Sequence, residues 1–86
     1  MEMMYEVREY DTWGNPRDGF EVNDSFTLGE VEFSQGQDLL QTLVDENIIC
    51  QGAVNRLQVE DLGPGYLEVI ERSTGKPVLG LLALDD

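Results

Sequence analysis

The chain has 86 residues and carries eighteen acidic side chains against five basic ones, a formal net charge of -13, with one cysteine and no histidine. That length makes one domain spanning 1–86, above the roughly 60 residues at which single domains fold alone but stay marginal. The charge argues against direct binding to nucleic acid or anionic lipid, since both need cations at the contact. The missing histidines exclude a zinc site of nitrogen and sulfur ligands within one chain, and the lone Cys50 excludes an internal disulfide.

The first ten residues, MEMMYEVREY, place acids where a signal peptide needs bases, and no apolar run is long enough to cross a bilayer, so a cytoplasmic address without membrane contact is expected. Residues 3–10 alternate as a half-buried strand, with Met3, Tyr5 and Val7 on one side and Glu6 and Arg8 on the other. Residues 11–19 read as a loop punctuated by Gly14, Asn15, Pro16, Asp18 and Gly19. Its Trp13 is expected to fold back onto the core, with an exposed partner anchor as the alternative. Asp11, Asn15 and Asp18 miss calcium-loop spacing and read as turn residues.

Phe20 and Val22 open a second strand that residues 23–25 interrupt. Phe26 and Leu28 then lie on one phase and Val31 and Phe33 on the other, and a bulge at Gly29 would bring all four to one face. Residues 34–47 form the only amphipathic helix pattern: Ser34 and Gln37 have capping-box spacing, and Leu39, Leu40, Leu43 and Val44 make an apolar stripe. Ile48 and Ile49 suggest that Cys50 is a small buried hydrophobe. A strand at 55–60 offers Leu57 and Val59 to the core, and a turn follows at 61–65. Strands 66–72 and 78–84 then flank a turn at 73–76. The last strand, VLGLLAL, does not alternate, the pattern of a strand covered on both faces. One helix covers one face, so loops such as Trp13's, a second copy in a homodimer, or a hydrophobic partner would close the other. The expected fold is α+β, one helix on an antiparallel sheet of five or six short strands in the order β-β-β-α-β-β-β.

Between Asp18 and Asn55 stand eight acids, Asp18, Glu21, Asp24, Glu30, Glu32, Asp38, Asp45 and Glu46, and no lysine or arginine. Uncompensated like charge opposes compaction, so it calls for a reason, of which a solubilising face or halophilic adaptation are the plainest. The sharper reason is mimicry of a nucleic-acid backbone. Glu30 and Glu32 on one strand would lie about 6.8 Å apart on the same side, and Asp38, Asp45 and Glu46 would continue the charge along the helix. Duplex DNA carries one charge per roughly 3.4 Å on each strand, so such rows suit a groove lined by lysine and arginine. No nucleophile motif, phosphate loop or histidine base is present, which points away from an enzyme and from a cofactor.

Residues 5–26, YEVREYDTWGNPRDGFEVNDSF, resemble the openings of small, acidic, functionally unassigned proteins of bacterial phages and other mobile elements. The resemblance implies a mobile-element origin and no activity. In size, acidity and lack of motif the chain is also similar to anti-CRISPR proteins and DNA mimics. The expected function is therefore inhibition of a nucleic-acid-binding protein, such as a CRISPR effector, by occupying its basic groove. Glu21, Asp24, Glu30, Glu32, Asp38, Asp45 and Glu46 are the expected contacts, and Trp13 the anchor. The alternative is a small assembly protein that oligomerises through its apolar C-terminal strand.

Overall fold

A computed structural model of the protein describes residues 2–34 and 38–84. The elements are β1 (Glu2–Asn15), β2 (Gly19–Ser34), a helix α1 (Leu39–Asp45), a 3-10 segment (Gln51–Arg56), β3 (Leu57–Gly63), β4 (Tyr66–Glu71) and β5 (Pro77–Ala83). The strands form one sheet in the order β2-β1-β5-β4-β3, with antiparallel neighbours throughout. The α+β arrangement is as expected at that level, weighted more heavily towards the sheet. The chain crosses from the β2 edge to the β3 edge through α1 and the 3-10 segment.

Period-2 alternation turns Tyr5, Val7, Val31, Leu57, Val69, Leu79 and Leu81 to one face, where Leu39, Leu40 and Leu43 of α1 meet them in the buried core. The non-alternating VLGLLAL segment becomes the central strand β5. Leu79 and Leu81 are buried beneath the helix side, as a central strand requires. Its other face is not closed by Trp13. Instead Tyr10 lies over Gly80, where an added Cβ would run into the tyrosine hydroxyl and ring, and Leu82 stays exposed.

Three local expectations are corrected. Residues 11–19 are not a loop: β1 runs on to Asn15 and pairs with β2 as far as Gly19, leaving a short turn. Asn15 Oδ1 accepts from the backbone N–H of Arg17 and Asp18, which is the turn role assigned to these residues. Because β1 pairs with β5 only between Tyr5 and Glu9, the rest of this hairpin projects as a two-stranded arm. The arm carries Trp13 away from the core and leaves it 60% exposed.

Second, residues 23–25 do not break the strand. The chain absorbs the extra residue as a bulge at Asn23 and a further one at Leu28, next to Gly29, so β2 is continuous. The bulge beside Gly29 does return Phe26 to the side of Val31 and Phe33. Phe26 and Leu28 nevertheless remain exposed, because the helix does not reach them.

Third, the helix is seven residues long and its cap is Asp38, not Ser34. Asp38 Oδ1 accepts from Leu40 N–H at 3.1 Å and Gln41 N–H at 3.4 Å, while Ser34 closes β2. Gln37, the other half of the expected capping box, lies outside the described residues. At the far end Asn47 adopts φ 62°, its N–H reaches Val44 O, and Ile48 N–H reaches Leu43 O at 2.9 Å. Those two bonds are the paired closure that ends a helix at a left-handed residue. Ile48 and Ile49 turn inward against the core. Cys50, expected to be buried, is exposed and stands at the cap position just before the 3-10 segment.

Candidate protein-docking surface

The face of the sheet opposite α1 has no second layer among the described residues. Cross-strand partners share a face, so the pairing assigns its occupants directly. On β2 and β1 these are Glu30 opposite Glu6 and Glu32 opposite Met4, with Arg8 next along. On β5 and β4 they are Leu82 opposite Tyr66 and Gly80 opposite Glu68, and β3 adds Glu60 opposite Glu68. Met4 and Leu82 are each 39% exposed. Leu84, whose N–H reaches Met4 O at 2.9 Å, extends their strip by alternation. The surface is thus an apolar strip with carboxylates on both sides.

Arg8 is the one base within any strand. Its Nε lies 3.0 Å from Glu6 Oε2 in the only salt bridge among the described residues, and Nη1 donates to Ser25 Oγ at 2.8 Å. Arg8 is therefore spent holding Glu6 beside Glu30. On the other side of the strip the hydroxyls of Tyr10 and Tyr66 lie 2.7 Å apart, and Tyr66 Oη donates to Glu68 Oε2 at 3.4 Å. Burial, then the hydrogen bond to Tyr66 and nearby negative charge, pushes the Tyr10 hydroxyl above the usual tyrosine range. Burial also raises the Glu68 carboxyl, helped by the Glu60 charge and opposed by the Tyr66 hydrogen bond. Two neighbouring carboxylates with one raised pKa can suit acid–base chemistry. The cleft of about 490 Å³ that includes Cys50, Arg56 and Lys76 and that of about 220 Å³ at Trp13 and Asp18 are lined by neither Glu60 nor Glu68.

The expected contact residues are divided among three places. Glu30 and Glu32 lie on the open face. Asp38, Asp45 and Glu46 belong to the helix on the opposite side of the sheet, where Asp38 serves as the cap and Asp45 Oδ1 accepts from Gln41 Nε2 at 3.2 Å. Trp13, Glu21 and Asp24 are on the arm. The continuous row from Glu30 and Glu32 onto the helix is thus interrupted by the sheet itself. Glu60, Glu68 and Tyr66 are not among the contact residues expected from sequence. Glu6 was visible as a polar-side residue, but only the strand order reveals its neighbour Glu30.

Among the described residues no group of three or more Cys, Asp or Glu side chains is placed to hold a metal ion. No described helix is long and apolar enough to cross a membrane. The chain matches no protein-family model, no curated protein and no solved structure.

Proposed function

We propose that this is a non-catalytic, cytoplasmic binding protein of mobile-element origin. It docks its open sheet face onto the basic groove of a nucleic-acid-binding protein and so inhibits it. The observation that carries this reading is the uncovered strip of Met4, Leu82 and Leu84 between Glu6, Glu30 and Glu32 on one side and Glu60 and Glu68 on the other. An apolar centre with a charged rim is the general anatomy of a protein interface. Here the rim's one cation is already paired, so the complementary surface is basic. Net charge adds long-range attraction to such a partner. Asp38, Asp45 and Glu46 take part in attraction at a distance, not in the same contact.

A tagged protein used to capture partners from a bacterial lysate tests this reading. The expected result is a nucleic-acid-binding protein that elutes at moderate salt, is displaced by added duplex DNA, and is lost with a Glu30→Lys/Glu60→Lys variant that still folds. Unchanged capture by that variant refutes docking through this face. The exposure of Leu82 and Leu84 also supports a second reading, in which two copies pack these faces together as an assembly protein. Light scattering that reports a stable dimer, lost on Leu82→Glu, would favour it.

A further inference from the structure

The core face of β1 does not stop where the helix stops. Alternation carries it from Tyr5 and Val7 onward to Glu9, Asp11 and Trp13, and the partners of these three on β2 are Phe26, Asp24 and Glu21. All six side chains are exposed, Phe26 at 53% and Trp13 at 60%. The arm therefore extends the face that elsewhere forms the core, but with two uncovered aromatic rings among four carboxylates.

This arrangement is unfavourable for the free chain. Asp11 and Asp24 stand directly opposite each other, and like charges across a strand pair are destabilising. Neither strand of the arm puts a base on this face; only Glu9, at the root of the arm where β1 still pairs with β5, shares a cleft with Arg56 and Lys76. Arg8 belongs to the other face and is tied to Glu6, and Arg17 sits in the turn at the tip, where its backbone N–H is held by Asn15.

We infer that this face of the arm is a docking surface for an arginine-bearing extended segment of a partner protein, with guanidinium groups seated against Trp13 and Phe26 and paired with the intervening carboxylates. Guanidinium groups stack on aromatic faces and form bidentate pairs with carboxylates. Arginines at alternate positions of an extended segment recur about every 7 Å, the repeat at which the three rows of the arm follow one another. A second copy of the chain would set four carboxylates against four, and nucleic acid would add phosphates to them, so neither is the occupant. The inference rests on the reading that the partner is cationic, and it adds a contact separate from the open sheet face.

Trp13 is the single tryptophan of the chain, so its emission reports this face alone. The probe is the peptide acetyl-Arg-Gly-Arg-Gly-Arg-amide, titrated at physiological salt while fluorescence and heat are followed, with the glutamate analogue as control. The expected result is a saturable change in Trp13 emission with the arginine peptide and none with the control. Affinity should fall at least tenfold in the Asp11→Asn/Glu21→Gln/Asp24→Asn variant and less than threefold in Glu30→Gln/Glu60→Gln. Heat of binding without a change in emission would overturn the arm as the docking surface while leaving the cationic-partner reading standing. Neither heat nor emission change would count against both. An emission change retained in the arm variant would also overturn the inference.

Discussion

Replacing Gly80 with alanine tests whether Tyr10 really closes the far side of the central strand. Gly80 pairs with Arg8 on one side and Glu68 on the other, and its backbone is not in the left-handed region, so alanine is conformationally allowed. An added Cβ would lie 2.6 Å from Tyr10 Cζ and 3.1 Å from Cε1, which forces the ring to move and breaks its 2.7 Å contact with the Tyr66 hydroxyl. Overpacking of this kind costs about 1–3 kcal/mol and the lost hydrogen bond about 1 kcal/mol. The stiffer unfolded chain offsets roughly 0.4–1 kcal/mol. Gly80→Ala should therefore destabilise by about 2 kcal/mol, which at a urea slope near 1 kcal/mol/M moves the midpoint by about 2 M.

In a Tyr10→Ala background the obstruction is gone, and the same substitution should be neutral or stabilising by about 0.5 kcal/mol. Urea unfolding of the four proteins, followed by far-ultraviolet circular dichroism, measures the coupling directly, and about 2.5 kcal/mol is expected for residues in contact. Equal effects of Gly80→Ala in the two backgrounds would refute the packing of Tyr10 on Gly80.

Two further predictions concern titration and capping. For Glu68, burial raises the folded carboxyl above its unfolded value, so the folded state binds more protons and loses stability as pH rises through the raised pKa. Glu68→Gln should accordingly be more stable than the parent protein at neutral pH, with the gap closing as pH falls through the raised pKa and gone once it is below the unfolded carboxyl value of about 4.3. Urea midpoints across that range check it, and a gap that widens on acidification would contradict the assignment. For Asp38, substitution by alanine should cost about 1 kcal/mol and by asparagine much less, since either side-chain oxygen can accept from the first-turn amides. Equal costs in thermal or urea unfolding would remove Asp38 as the cap.

The parts of this fold legible in the sequence are those set by neighbours along the chain. Alternation at Tyr5 and Val7, the helical spacing of Leu39, Leu40 and Leu43, the hairpin around Ser73, and the burial of Leu57 all follow from side-chain period and turn chemistry. The charge was equally plain. Even the bulge near Gly29 could be placed, because only an extra residue reconciles the phases of Phe26 and Val31. The misreadings came where two local signals competed. The glycines and Asn15 around Trp13 suggested a loop, yet strand pairing used all but a short turn of it. Asp38 displaced Ser34 as cap because it stands immediately before the apolar stripe.

Composition and periodicity by themselves determined that this chain is strongly acidic, with a helix, a sheet and a strand apolar on both sides. Only tertiary structure decided that β1 lies between β2 and β5, which sets Glu6 beside Glu30, places Tyr10 over Gly80, and puts the helix acids on the other side of the sheet from Glu30 and Glu32. The physical reason is that a side chain's direction depends on its own strand, whereas its neighbours depend on which strands pair, and pairing joins residues far apart in the chain.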